Sequence, residues 1–204
     1  MAEGIDLFDA IDTQRAIRYI KPDPVPDELI TRLLEAAIKA PSGGVSQGWS
    51  FIVIRDPETR SKIGELYRQG GDFDIRDDMT SQERRVYTSA QHLEDHMDEV
   101  PVFILACIQR TGPPGATVTG SSIFPAVQNI LLAARGLGLA SVLTTRQRRF
   151  EEEIKQMLGI PEDVETAALL PIGFPAEGSG YGPTRRRPLE EVAFDGRWGN
   201  GWTR

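Results

Sequence analysis

The stretch Ala40-Pro41-Ser42-Gly43-Gly44-Val45-Ser46-Gln47-Gly48-Trp49 joins two segments of different hydrophobic periodicity. Before it, apolar residues recur at helical spacing, which predicts a helix that begins near Asp27. These residues are Leu29, Ile30, Leu33, Leu34, Ala37 and Ile38. After it, the short apolar run at residues 50–55 predicts a buried strand. The stretch therefore predicts a helix–loop–strand unit.

The composition of this loop is unusual for a simple helix-to-strand connection, because it holds three glycines, two serines, a glutamine and a tryptophan. Glycine lets the backbone approach a ligand closely, and the Gln47 amide can both donate and accept hydrogen bonds. Two interpretations are open from the loop alone. It binds a flat ligand with polar edges, or it is an ordinary glycine-rich turn with Trp49 in the core.

The rest of the chain alternates between helical and strand patterns, with helices dominating the start. Helices are predicted at residues 6–14, after Pro57, at 81–99, from Ser121 or Ser122 through Ala134, and at 150–158; strands are predicted at 102–108, 140–144 and 167–172. The helix that ends near Ala134 carries little charge, which predicts burial on all sides. No repeat or domain boundary is evident, so residues 1–204 are predicted to form one α+β or three-layer α/β domain.

Charge and cysteine content narrow the possible partners and the compartment. The chain of 204 residues has 23 basic and 30 acidic side chains, a formal net charge of −7, which argues against nucleic acid or an anionic membrane as partner. The single cysteine, Cys107, lies in an apolar run and is expected to be buried and inert. One cysteine and no visible secretory signal favour a cytoplasmic location.

Most familiar catalytic patterns are missing from the sequence. The run from Gly136 to Gly138 ends a helix and precedes a strand, the reverse of a dinucleotide fingerprint. His92 and His96 are four residues apart, but no third ligand completes a metal site, so they are expected to be surface histidines. Two basic groups remain, Arg15 with Arg18 and the run at 185–187, and arginine forks suit a phosphate dianion.

Five segments, in order, resemble the FMN-dependent nitroreductase family, and together they span nearly the whole chain. They are Arg15-Ala16-Ile17-Arg18-Tyr19, the loop at 40–49, Pro125-Ala126-Val127-Gln128-Asn129 with Gly136-Leu137-Gly138, Leu170-Pro171-Ile172-Gly173-Phe174-Pro175, and Arg186-Arg187-Pro188-Leu189-Glu190-Glu191-Val192. The chain departs from the family pattern at Ala16, where serine is usual, at Val45, where asparagine is frequent, and at Gly48, which replaces proline.

The resemblance implies a three-layer α/β/α nitroreductase-like fold of the α+β class, with a central, mostly antiparallel sheet flanked by helices. It also implies a homodimer with FMN at the interface. Residues 178–204 would embrace the partner, and residues 68–100 would form a lid or variable region. The cofactor-binding residues implied are Arg15, Ala16, Arg18, Pro41, Ser42, Gly43, Gln47, Pro171, Ile172, Gly173, Arg185 and Arg186, with Arg187 possible.

The activity that the resemblance implies is reduction of nitroaromatics, quinones or similar small aromatic acceptors by NADH or NADPH. Turnover would be ping-pong, with hydride passing through flavin N5, and the Gly173 N–H would lie near N5. No side chain is expected to act as a separate catalytic group, because the flavin carries the chemistry. Two alternatives stay open: a specialised relative that fragments flavin or removes halogen, and a non-catalytic flavin-binding protein.

Overall fold

Helices and strands alternate along the chain in the computed structural model, which describes residues 5–71, 73–110 and 117–203. The helices are α1 Leu7–Thr13, α2 Asp27–Ala37, α3 Pro57–Gln69, α4 Ser81–Asp95, α5 Thr117–Gly136 and α6 Glu151–Leu158. The strands are β1 Ile20–Lys21, β2 Trp49–Ile54, β3 Val102–Gln109, β4 Ala140–Ser141 and β5 Val164–Pro175. Short 3-10 turns occupy Gly43–Val45, Met97–Glu99, Arg146–Phe150 and Leu189–Glu191.

The five described strands form one sheet in which each of the described pairings is antiparallel. The order is β1-β5-β3-β2, and β4 pairs with β5. The long β5 is therefore the organising strand, because it pairs along most of its length with β3 and at its carboxyl end with β1 and β4. The carboxyl end of β5 therefore brings β1, β4 and the start of β3 close together.

Both faces of the sheet are covered, which makes the domain three-layered. Along β3, Ile104 and Ala106 pack with α2 and α5, whereas Phe103 and Leu105 pack with α3, α4 and α6 on the other side. A strand that is buried on both faces needs apolar residues throughout, which is why its sequence is a continuous apolar run without alternation. The predicted α+β architecture with a mostly antiparallel sheet is thus confirmed.

Two expectations about α5 were wrong. The helix begins at Thr117, before the serines expected to cap it, so Ser122 is a buried residue inside the helix. The helix is also not buried on all sides, because Phe124 is 39% exposed and Gln128 is exposed. Low charge predicted complete burial, but one face of this helix is exposed in the part of the chain that the structure describes. Among the described residues, no helix is both long and apolar enough to cross a membrane.

Candidate functional site

The segment from Arg15 to Arg18 runs beside β4, which brings Arg18 to the edge of the sheet. The Ile17 N–H donates to the Ser141 carbonyl at 3.1 Å and fixes the segment there. The half-buried Arg18 donates through Nη1 to Ser89 Oγ of α4 at 3.2 Å. Burial lowers the pKa of the Arg18 guanidinium, and nearby Arg15 lowers it further. A partly desolvated cation without a carboxylate partner among the described residues favours an anionic ligand.

Arg18 lines a cavity of about 720 Å³, which we call the Arg18 cavity. Its walls come from the end of α3, the loop that follows α3, one face of α4, and the residues after β4. The polar and aromatic groups that matter below are Tyr67, Phe73, Tyr87, Thr144, Arg146 and Arg149. The volume falls in the range of small-molecule sites, and the mixture of aromatic walls with a few cations is typical of such sites.

The residues after β4 were missed by the sequence analysis. Thr144 and Thr145 line the Arg18 cavity, followed by Arg146 in the next 3-10 turn. Tyr67 Oη and Thr144 Oγ1 lie 3.0 Å apart and join α3 to this segment. A possible signal was present in the sequence, since a strand is followed directly by two hydroxyl residues and an arginine-rich turn. No single motif marks it, however, because its partners are distant in the chain.

The glycine-rich loop at 40–48 lies elsewhere in the subunit. The Gly43 N–H donates to Ser122 Oγ of α5 at 3.1 Å, and the Gln47 N–H donates to Ser42 Oγ at 3.1 Å. Pro41, Gly43 and Gln47 are exposed, and none of the loop residues lines the described Arg18 cavity. Trp49 is partly buried against the core beneath α2 and α5. Trp49 thus packs against the core, as the second interpretation expects, whereas ligand binding by the exposed polar part of the loop stays a prediction.

The loop is held in an unusual backbone conformation. Gly44, Val45 and Gln47 have φ angles of 59°, 58° and 46°, in the left-handed region. For glycine this conformation is free of strain, but for a β-branched side chain it is unfavourable by about 1–2 kcal/mol. Val45 is also 79% exposed, so no burial compensates the strain within the subunit. Strain of this kind is concentrated at binding loops.

Replacing Val45 should therefore make the subunit more stable. We expect Val45→Asn to raise the free energy of unfolding by about 0.5–1 kcal/mol, because asparagine adopts the left-handed conformation more readily than valine. Val45→Thr, which keeps the β-branch, is the matched control and should leave stability unchanged. Urea unfolding followed by circular dichroism measures both. A gain in the threonine variant equal to that in the asparagine variant would contradict a backbone-strain explanation.

Pro171, Ile172 and Gly173 lie in the carboxyl half of β5 and are buried. A Cβ atom on Gly173 would lie 2.4 Å from Ile20 Cγ2 and 3.0 Å from Pro101 Cγ. Glycine is thus required here by the close approach of β1 and the start of β3. None of the three residues lines the described Arg18 cavity, so the role at flavin N5 that was expected of the Gly173 N–H stays a prediction.

The C-terminal arginines are exposed and lie on a separate arm. Two contacts hold the chain to the core just before these arginines. The Tyr181 ring lies 4.1 Å from the Arg135 guanidinium, and the Gly182 N–H donates to the Thr13 carbonyl at 3.1 Å. Arg185 and Arg186 follow, and Arg186 donates to the Arg185 carbonyl at 3.1 Å. Beyond them, the Trp202 N–H donates to the Ala193 carbonyl, so the arm partly folds on itself.

Cys107 is 1% exposed, as expected for a core residue. Burial, together with the nearby Glu151 carboxylate, raises the pKa of its thiol to about 12. The residue is therefore protonated at neutral pH and cannot serve as a nucleophile.

The two histidines form a ring stack with Tyr19, the neighbour of Arg18. The Tyr19 and His92 ring centroids are 4.2 Å apart, those of His92 and His96 are 4.4 Å apart, and His96 Nδ1 lies 2.8 Å from a Glu99 carboxylate oxygen. Among the residues that the structure describes, no three His, Cys, Asp or Glu side chains are grouped to hold a metal ion. The stack ties α4 to the segment that carries Arg18.

This stack makes stability depend on pH. Burial lowers the pKa of His92 below its ordinary value of 6.5, and His96 lowers it further. The unfolded chain then binds more protons than the folded one, so the free energy of unfolding falls as the pH drops below 6.5. We expect His92→Phe, which keeps the ring stack without a charge, to lose less stability than wild type between pH 7.5 and 5.5. Equal losses in urea unfolding would refute this contribution.

The chain thus combines a three-layer α+β fold, built on an antiparallel sheet, with an arginine-lined cavity, and comparison with known proteins identifies its family. A profile of the Nitroreductase family matches residues 11–174. The chain belongs to the Nitroreductase family.

Individual relatives agree with this assignment and differ in their activities. An NADH dehydrogenase/NAD(P)H nitroreductase of Methanothermobacter thermautotrophicus is 34% identical over 180 residues, which cover 86% of this chain and 81% of the relative. Iodotyrosine deiodinase 1 of Rattus norvegicus is 28% identical over 201 residues, which cover 92% of this chain and 68% of the relative. A crystal structure of iodotyrosine deiodinase bound to FMN and 3-iodo-L-tyrosine has a TM-score of 0.72 at 21% identity, and the match covers 94% of this chain and 99% of that one. At this identity the likeness is one of fold alone.

Proposed function

We propose that the protein is an FMN-dependent oxidoreductase that uses NADH or NADPH to reduce nitroaromatic, quinone or related aromatic acceptors. The observation that carries the proposal is the Arg18 cavity, in which a half-buried guanidinium faces a space of about 720 Å³ lined by hydroxyls and aromatic rings. Family membership makes the chain an oxidoreductase of the nitroreductase type. Structural neighbours include proteins described with bound FMN.

The residues present fit this cofactor. Arg18 would offer a partly desolvated cation to the polar edge of the ring system, where it would stabilise the negative charge of the reduced cofactor. Thr144 and Thr145 offer hydroxyl hydrogen bonds along the same wall. The exposed Arg15, Arg185 and Arg186 would bind the phosphate. When bound, FMN would supply the hydride chemistry, and these side chains would hold and orient it.

We further propose that the working unit is a homodimer with a site built from both subunits. Within one subunit, the loop with Pro41, Ser42, Gly43 and Gln47 does not reach the Arg18 cavity, so a partner is needed to supply it. Large apolar side chains are also left exposed: Phe8 is 71% exposed and Trp198 is 92% exposed. Exposed apolar surface of this kind marks protein interfaces. Under this proposal, residues 178–204 reach across to the partner, and the enzyme is cytoplasmic.

Cofactor binding tests the proposal directly. We expect FMN to raise the melting temperature of the protein, and riboflavin, which lacks the phosphate, to raise it much less because the arginines lose their partner. Size-exclusion chromatography with light scattering should give a dimer. A protein that is monomeric and gains no thermal stability from FMN would rule out the proposed site.

A second candidate is reductive dehalogenation of a halophenol. The observation that favours it is the 28% identity to iodotyrosine deiodinase 1 over 92% of this chain. Release of halide from 3-iodotyrosine, compared with loss of a nitroaromatic under the same reductant, separates the two activities. Bound flavin that neither NADH nor NADPH reduces in stopped-flow experiments would instead indicate a flavin-binding protein without turnover.

A further inference from the structure

Cationic side chains outnumber carboxylates among the described residues that line the Arg18 cavity. Three guanidinium groups line it, those of Arg18, Arg146 and Arg149, and the one carboxylate among the described lining residues is the exposed Asp74. The chain as a whole has a formal net charge of −7, so the sign of the charge is reversed locally. A cleft lined by one sign of charge concentrates ligands of the opposite sign.

The positive charge of Arg146 is already compensated by a carboxylate of the protein. It pairs with Glu94 of α4, and the two side chains are only 12% and 3% exposed. Its guanidinium also lies 4.5 Å from the Phe73 ring centroid and 5.2 Å from that of Tyr67. Because its charge is paired with Glu94 and its guanidinium contacts two aromatic rings, Arg146 supports the cavity wall.

Arg149 is different. Its Nη1 donates to the neutral Gly70 carbonyl, and none of the described carboxylates forms an ion pair with it. The backbone at Gly71 lies next to the same nitrogen, because a Cβ at this position would be in ordinary contact with it at 3.8 Å. A guanidinium has five N–H donors, and its planar fork matches a carboxylate. The exposed Arg149 therefore keeps donors for a ligand.

Aromatic side chains line the cavity with Arg149. Phe73 and Tyr87 meet edge to face, with ring centroids 6.1 Å apart and an interplanar angle of 83°. Phe73 comes from the loop after α3 and Tyr87 from α4. Aromatic walls next to a cation that pairs with none of the described carboxylates fit a planar ring that carries an anionic substituent.

Resting on the proposed function, we propose that the acceptor is an aromatic carboxylate, whose carboxylate pairs with Arg149 and whose ring packs against Phe73 and Tyr87. Arg18 is left to the cofactor, and Arg149 is a specificity-determining residue that selects charge. The aromatic contacts bind charged and neutral acceptors alike. The preference between two acceptors that differ only in charge therefore reports on Arg149.

Matched ligands test this inference by binding. In calorimetric titrations of the protein with excess FMN, 4-nitrobenzoate should bind about tenfold or more tightly than 4-nitrobenzamide, since bonds to charged groups stabilise by about 1.5–3 kcal/mol. Arg149→Gln should reduce the preference to less than about threefold, with Arg149→Lys intermediate. Arg148 is an exposed neighbour that does not line the cavity, so Arg148→Gln should leave the preference for 4-nitrobenzoate unchanged. Phe73→Leu should weaken both ligands equally.

Equal affinities for the two ligands in the wild type, or a preference that survives Arg149→Gln, would overturn the inference. Its failure can be told from that of the proposed function. Charge-selective binding without reduction of flavin by NADH or NADPH supports the Arg149 site and contradicts the oxidoreductase proposal. Turnover of both nitro compounds with equal kcat/KM supports the oxidoreductase proposal and contradicts the Arg149 site.

Discussion

Arg18→Ala should weaken FMN binding by about ten- to hundredfold, because a charge-assisted hydrogen bond contributes about 1.5–3 kcal/mol. The effect should be large because Arg18 is half-buried and held by Ser89, so its position does not have to be fixed when the ligand binds. Titration of FMN followed by its fluorescence measures the change. Arg18→Lys should recover part of the affinity, since it keeps the charge but loses the fork.

The matched control for this prediction is Arg148→Ala. Arg148 is an exposed arginine of the same 3-10 turn that carries Arg146, but it does not line the Arg18 cavity. Its removal tests whether any loss of cationic charge weakens binding of a phosphate. We expect an FMN dissociation constant within about twofold of wild type. Equal losses in the Arg18 and Arg148 variants would mean that general charge, rather than the cavity, holds the cofactor.

Gly173→Ala should destabilise the protein by about 2–3 kcal/mol, because overpacking of a buried site has costs of this order. The new Cβ would lie 2.4 Å from Ile20 Cγ2 and 3.1 Å from Pro101 Cδ, so the Ile20 side chain must move, and with it the packing of β1. Since β1 begins two residues after Arg18, FMN affinity should fall together with stability. Urea unfolding and FMN titration on one sample would measure both.

A glycine in an open position provides the control for this prediction. No atom lies within 4 Å of the position of a Cβ on Gly180, so Gly180→Ala should change stability by less than about 0.5 kcal/mol. Ile20→Ala in the Gly173→Ala background should recover part of the loss, because it removes the shortest contact. A Gly173→Ala variant as stable as wild type would contradict the packing explanation.

The parts of the fold that could be predicted are those with a long local pattern. The apolar run at 102–108 marked β3, and the periodicity after Asp27 marked α2. The two-residue strands β1 and β4 are too short to show any period, and pairing with β5 defines them. The exposed face of α5 was missed because low charge indicates an apolar helix without showing which of its faces the rest of the chain covers.

The candidate site could be predicted only where one segment carries the chemistry. Arg18 was identified from its own segment, and the structure places it in a cavity. Thr144, Thr145 and Arg149 escaped notice because their importance depends on the fold bringing α3, α4 and β4 together. The loop at 40–48 lies outside this cavity, where the Gly43 N–H donates to Ser122 Oγ of α5. The sequence suggested Ser122 only as a helix cap.

The central claim is that this chain binds FMN and passes electrons from a nicotinamide to an acceptor. The most direct test is the visible absorbance spectrum of the purified protein with FMN, recorded without oxygen before and after addition of NADH or NADPH. We expect the bands of oxidised flavin bound to the protein, their bleaching by at least one nucleotide, and their return when a nitroaromatic or quinone is added. A protein that binds no flavin, or a bound flavin that neither nucleotide bleaches, would contradict the claim.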